Sequence, residues 1–213
     1  DLYTCFDTSR GVAHAVDGVS FSLGYGKTLG IVGESGSGKS VLSRTIIDIL
    51  AKDGSVISGG KILFEGRDLR SLSENEMREV RGREIAMVFQ DPMTSLNPVM
   101  KIGKQITEVL CKKLGMGRSD SRYRALELIE LMGIPDAERQ SSRYPLHLSG
   151  GMRQRVAIAI AMAGEPKLLI ADEPTTALDV SIQAQILDLL RTQQKIRNMA
   201  IILITHNLGV VSS

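Results

Sequence analysis

The sequence predicts an α/β fold: a parallel sheet covered by helices on both faces, a smaller antiparallel β layer and an inserted helical subdomain. Three observations carry this. GKTLGIVG, EIAMVFQ, KLLIADEP and MAIILITHN contain near-continuous apolar runs, as strands buried on both faces do. Segments with apolar residues at helical spacing lie between them, the alternation that produces parallel strands. Before the first of those helices and shortly after it, AVDGVSFSL and GGKILFEGRDL alternate apolar and polar residues, the pattern of a half-buried antiparallel layer.

Taken in order, AVDGVSFSL reads as a strand, GKTLGIVG as a buried strand and KSVLSRTIIDILA as a helix. GGKILFEGRDL reads as a further alternating strand. RDLRSLSENEMREVRGRE is a solvated helix face and loop. EIAMVFQDP is a buried strand that ends in a polar turn. QITEVLCKKLG, RYRALELIELMG and GMRQRVAIAIAMAG follow helical periods with Gly or Pro between them. KLLIADEP returns to a buried strand, DVSIQAQILDLLRTQQKIR is a long amphipathic helix, and MAIILITHN is a last buried strand. The expected organisation is a single unit in which residues of about 1–92 and 164–213 form the core with its β layer. Residues of about 93–163 form the helical subdomain. Met87 and Met162 are read as core packing.

Bulk properties exclude several classes. The 213 residues, 43% hydrophobic with a mean hydropathy of +0.03, suit a globular chain that buries a substantial core. A net charge of +2, from 26 basic and 24 acidic residues, gives no electrostatic footprint for nucleic acid. VAIAIAMAG and similar stretches are far shorter than the roughly 20 residues a membrane-spanning helix needs. No secretory signal is visible. Cys5 and Cys111 form neither a disulfide framework nor a ligand cluster and read as reduced thiols of a cytosolic protein. A chain that starts on Asp and stops at VVSS just past a strand is expected to be trimmed at both ends.

Residues 33–40, GESGSGKS, match G-x-x-x-x-G-K-[ST] between a buried strand and a helix, the context of a phosphate-binding loop. Gly33, Gly36 and Gly38 let successive backbone N–H groups of Gly33, Glu34, Ser35, Gly36, Ser37 and Gly38 converge on phosphate oxygens. Lys39 adds a point charge for the β- and γ-phosphates, and the Ser40 hydroxyl is a Mg²⁺ ligand. In KLLIADEP two acids emerge at a strand end, where parallel sheets bind ligands. Asp172 is assigned to Mg²⁺ and Glu173 to the attacking water as general base. His206 ends MAIILITHN in the same way and is placed to reach a γ-phosphate; Gln90, ending EIAMVFQ, is placed to touch Mg²⁺ or the water. His14 is read as structurally ordinary. A second anion site lies in LSGGMRQRV, where Ser149 is a natural N-cap and Gly150 and Gly151 bare backbone donors at a helix start.

GESGSGKS, MVFQ, LSGGMRQRV, LLIADEP, TTALD and ITHN occur here in the order of the ATP-binding cassette family, and the chain resembles the nucleotide-binding subunit of an ABC transporter over nearly all its length. The resemblance implies an ABC ATPase fold around a P-loop NTPase core, ATP and Mg²⁺ as ligands, and hydrolysis of ATP. It also implies that two cassettes pair head to tail, so that Ser149, Gly150, Gly151 and Met152 close over the nucleotide on the partner's phosphate loop. The two anion sites are then two half-sites. Asp179 would lie at the dimer seam, and Phe6, or else Tyr3 nearby, would stack on adenine. Gln90 would couple the nucleotide to the helical lobe, where membrane subunits dock.

VFQDPMTSLNP, SGGMRQRV and ADEPTTALDVSIQAQIL are similar to the ATPase subunits of oligopeptide, dipeptide and nickel importers. Met152 stands where the general signature has Gln, and Asn207 where an acid is frequent. Members of this branch continue past the switch His into a C-terminal extension. The implied partners are a second ABC ATPase subunit, identical or related, transmembrane permease subunits and, indirectly, a substrate-binding protein, with no nucleic acid. The implied place is the cytoplasmic face of a membrane. Two other readings remain. One is a soluble ABC ATPase of DNA repair or of ribosomes, which would usually bring paired cassettes, zinc cysteines or basic arms. The other is a catalytically silent cassette, against which Lys39, Asp172, Glu173 and His206 all stand in place.

Overall fold

The computed structural model describes residues 1–51, 53–176 and 178–207. The strands are β1 (Leu2–Thr8), β2 (Gly11–Val19), β3 (Thr28–Val32), β4 (Val56–Gly59), β5 (Leu63–Phe64), β6 (Arg67–Asp68), β7 (Ile85–Val88), β8 (Leu168–Asp172) and β9 (Ala200–Thr205). The helices are α1 (Lys39–Ile46), α2 (Glu74–Val80), α3 (Pro92–Ser95), α4 (Ile102–Leu114), α5 (Arg118–Leu131), α6 (Ala137–Ser141), α7 (Gly150–Ala163) and α8 (Val180–Arg197). The predicted α/β layering is present. A parallel sheet runs β3-β9-β8-β7, an antiparallel sheet runs β2-β1-β4, and β5 and β6 form a separate hairpin.

Alternation along the central strands sorts the core into two layers. Leu169 and Ala171 of β8 and Ile201 and Leu203 of β9 join one apolar cluster with Ile102, Ile106 and Leu110 of α4, Leu128 and Ile129 of α5, Ile158 and Met162 of α7, and Ile186 of α8. Leu168 and Ile170, with Ala200, Ile202 and Ile204, join the other, against Leu42 and Ile46 of α1 and Met77 and Val80 of α2. Leu169 and Ile170 are fully buried, each contributing about 1.5–3 kcal/mol from that burial. The helices from α4 to α7 therefore share one core with the sheet.

Register brings the strand ends level. Val32 pairs with Thr205 and Asp172 with Ile204, so the segments that begin at Gly33, Glu173 and His206 leave the sheet at one end. Val88 pairs with Ala171, which delivers Gln90 to that same end.

Several expectations need correction. GGKILFEGRDL is not one strand: Glu65 and Gly66 both take positive φ, +50° and +79°, and fold it into the β5–β6 hairpin. β2 stops at Val19, paired with Leu2, and no described strand lies alongside residues 20–23. β3 is only half-buried because it sits at the sheet edge beside β9 alone, leaving Thr28 and Val32 exposed. The charged stretch before β7 is more than a solvated face. Ser73 and Glu76 form a capping box that starts α2, and Met77 and Val80 are buried.

Candidate functional site

The phosphate loop is built by close backbone approach. Gly36 and Gly38 hold φ of +83° and +88°, in the left-handed region that favours glycine. A Cβ at Gly38 would lie 1.9 Å from the Ala15 carbonyl oxygen of β2, so the antiparallel layer buttresses the loop from outside. Gly38 is the N-cap of α1 and offers no side chain to cap it, leaving the first N–H groups of that helix facing the loop. Lys39 is buried, and its ammonium donates to the carbonyls of Gly33 at 2.7 Å and Glu34 at 2.6 Å and to Ser37 Oγ at 3.3 Å. The loop thus presents N–H groups while its own acceptors are tied to a cation. Glu34, Ser35, Gly36 and Ser37 are exposed.

Ser40 Oγ donates to Asp172 Oδ1 at 3.1 Å, joining residues 132 positions apart. Asp172 is 1% exposed, and burial raises its carboxyl's pKa from the ordinary aspartate value, with the Ser40 hydrogen bond acting in the other direction. A buried acid beside a hydroxyl is an oxygen-only donor set, the kind that suits Mg²⁺.

Glu173 breaks the strand. Its backbone N–H still bonds the Ile204 carbonyl at 2.9 Å, but its φ of +48° turns the chain out of the sheet. A left-handed non-glycine residue costs about 1–2 kcal/mol, and such strain concentrates at functional sites. The turn sends Asp172 inward to Ser40 and Glu173 toward other partners. Gln90 Nε2 donates to Glu173 Oε2 at 3.0 Å, Thr176 Oγ1 donates to the same oxygen at 2.8 Å, and His206 Nδ1 stands 3.3 Å from it. The predicted residues Gln90, Glu173 and His206, from the ends of β7, β8 and β9, therefore form one cluster. Thr176 belongs to it and Ala15 to the loop's support, and neither was singled out from sequence. Ala15 acts through its backbone carbonyl, and Thr176, although it lies in TTALD, through a turn that the motif does not spell out.

The LSGG segment opens α7. Ser149 caps α7, accepting the Met152 N–H at 3.3 Å. Among the described residues no hydrogen bond joins Ser149, Gly150 or Gly151 to the phosphate loop. Ser149 and Gly150 are exposed, and Gly151 and Met152 half-buried. Asp179 is the exposed N-cap of α8 with no side-chain capping bond, while Ala177 of the same TTALD motif lies outside the described residues. Phe6 is half-buried on β1 opposite Ala13, two residues before Ala15. Tyr3 instead lies over Gly59, where a Cβ would come within 2.2 Å of its ring. His14 Nδ1 is 3.3 Å from the Sγ of Cys5, and both cysteines are free.

A glycine-rich loop feeding a helix, with a buried acid facing it from the end of β8, the next strand but one in the sheet, defines a P-loop nucleotide-binding cassette. The profile described as "ABC transporter" matches residues 16–176, and the chain belongs to that family. It is 57% identical over all 213 residues to the oligopeptide transport ATP-binding protein OppD of Bacillus subtilis (strain 168), covering 60% of that relative. It is 54% identical over 213 residues to the dipeptide transport ATP-binding protein DppD of Lactococcus lactis subsp. cremoris (strain MG1363), covering 61%. The chain thus spans about 60% of the length of these curated relatives. Among solved structures, the dimeric ATP-binding cassette MJ0796 in a post-hydrolysis state bound to ADP and Pi is similar. Its TM-score is 0.85 at 27% identity, over 99% of this chain and 90% of that one. The fold is accordingly the ABC ATPase fold.

Proposed function

We propose that this chain is the ATP-binding and ATP-hydrolysing subunit of an importer for oligopeptides or dipeptides, working as half of a cassette pair on the cytoplasmic face of a membrane. The observation that carries the catalytic part is the convergence of Gln90, Glu173 and His206 beside the Lys39–Ser40–Asp172 group. The cargo class is supported by the relatives, whose names specify oligopeptide and dipeptide transport. No helix among the described residues is long and apolar enough to cross a membrane, in keeping with separate permease subunits. A substrate-binding protein would act through those permeases. The relatives named above are transport proteins and do not favour a non-transport cassette of DNA repair or ribosomes.

In this reading the loop N–H groups and Lys39 bind the triphosphate and neutralise its charge. Mg²⁺, when bound, would offset charge on the phosphate oxygens, with Ser40, Asp172 and Gln90 as the residues that would hold it. Glu173 accepts the proton of the attacking water. His206, with Nδ1 on the Glu173 side, has Nε2 as its other nitrogen for the γ-phosphate. Phe6 stacks on the adenine. Ser149, Gly150, Gly151 and Met152 serve the nucleotide held by the partner's loop, with Asp179 at the seam; the exposure of Ser149 and Gly150 at the N-terminus of α7 supports that arrangement. Residues of about 93–163 act as the lobe that meets the permeases.

The test is the mass in solution of the Glu173→Gln protein with and without Mg-ATP. An ATP-dependent dimer is expected. A monomer that binds ATP tightly would count against self-pairing and direct the search to a related second subunit. Loss of ATP binding itself would sink the assignment of Glu173 to turnover.

A further inference from the structure

We propose that Thr176 is a positioning residue for Glu173, its hydroxyl tying one carboxylate oxygen so that the other is left to take the proton of the attacking water. This rests on the general-base reading of Glu173 given above. The three contacts to the Glu173 carboxylate fall on a single atom: Thr176 Oγ1 at 2.8 Å, Gln90 Nε2 at 3.0 Å and His206 Nδ1 at 3.3 Å all meet Oε2. No hydrogen bond from a described residue reaches Oε1. A carboxylate held by one oxygen has lost the rotation that would exchange its two oxygens, and a general base works only where its accepting atom stays within hydrogen-bond reach.

Among the three partners Thr176 makes the shortest contact and is the one on Glu173's own turn. Had the strand continued, three residues would separate the two by about 10 Å. The left-handed φ of Glu173 folds the chain back instead, and the Thr176 N–H donates to the Glu173 carbonyl at 3.2 Å. Side-chain and backbone hydrogen bonds thus link the same two residues. The turn is braced from α8, where Gln183 Nε2 donates to the carbonyls of Thr175 at 3.2 Å and Leu178 at 3.0 Å. Gln90 and His206 are exposed, whereas Thr176 is half-buried, so its hydroxyl is the more sheltered of these donors. The strain at Glu173 acquires a purpose in this arrangement, since it is what brings the hydroxyl to the carboxylate.

The experiment compares Thr176→Val, which keeps the shape and removes the donor, with Thr176→Ser, which keeps the donor and removes the methyl. Both are made in the complete protein, with Glu173→Gln run alongside, and each is checked by thermal melting. Thr176→Val is expected to lower kcat about ten- to hundredfold, the loss of one hydrogen bond to a charged group, with KM and affinity for ATP unchanged. Thr176→Ser is expected to restore most of the turnover. The proposal is overturned if Thr176→Val turns over like the parent protein, if Thr176→Ser loses as much as Thr176→Val, or if kcat falls only in step with ATP affinity. Should Thr176→Val not fold, Thr176→Ala takes its place under the same criteria. If Glu173→Gln itself turns over normally, the general-base reading has failed; if it is inactive while Thr176→Val is normal, the Thr176 proposal alone has failed.

Discussion

Replacing Gly38 with alanine separates two ways in which a glycine can be required. Gly36 and Gly38 have nearly the same φ, +83° and +88°, so an alanine at either is strained by about 1–2 kcal/mol. Their surroundings differ. A Cβ at Gly36 meets nothing within 4 Å, whereas at Gly38 it lies 1.9 Å from the Ala15 carbonyl oxygen. A carbon–oxygen contact needs about 3.3 Å, so strand β2 or the loop must retreat by roughly 1.4 Å. Overpacking of that order adds about 1–3 kcal/mol. Gly38→Ala is therefore expected to cost about 2–5 kcal/mol, a large share of a typical stability of about 5–15 kcal/mol. Gly36→Ala should cost only the backbone term. Urea unfolding of both nucleotide-free variants measures the difference. Equal midpoints would refute the reasoning, because the Ala15 contact would then carry no energy.

Three further outcomes are expected. Lys39→Ala should weaken ATP binding about ten- to hundredfold or more, read by calorimetric titration; unchanged affinity would remove the ammonium from the phosphate site. Asp172→Asn should stabilise the Mg²⁺-free protein near pH 7. Burial raises this carboxyl's pKa in the folded state, so the folded state binds more protons and loses stability as pH rises from the unfolded value of about 3.8 through the folded one. The advantage of Asn should shrink on acidification toward pH 4, and urea melts at the two pH values test the sign. Gly164→Ala should destabilise by about 1–3 kcal/mol, since a Cβ there would stand 1.6 Å from the Gly82 carbonyl oxygen; an unshifted unfolding midpoint would show that this junction yields freely.

Legibility followed the range of the interaction. The shape of the Gly33–Ser40 loop was readable because Gly36, Gly38 and Lys39 act through local backbone geometry, and the place of Asp172 because an acid at the end of an apolar run has one sheet end to emerge from. The meeting of Gln90, Glu173 and His206 was foreshadowed by their matching places at strand ends, although the register that levels those ends is a property of pairing. The hairpin at Glu65–Gly66 was missed because alternation continues through the turn, so a period-2 pattern conceals it. Exposure of β3 was missed because a strand's sequence does not say whether it lies at an edge. Thr176 was hidden because its partner is reached only through the left-handed conformation of Glu173, and a glutamate gives no cue to that.

Helix α7 begins at the Ser149 cap and ends where Gly164 is pressed against the Gly82 carbonyl, with 14 residues between. At 1.5 Å per residue it is a spacer of about 21 Å, seated at its far end on the turn before β7. A change of residue type beyond its Gly150–Met152 end alters side-chain contacts and leaves the length of the spacer as it was. A change of residue number would swing the Ser149–Gly151 end by about 100° around the axis while the other end stayed seated. Insertions and deletions should therefore be rejected in this segment even where substitutions are accepted, because the helix works as a gauge whose angular phase decides which way the glycine pair faces.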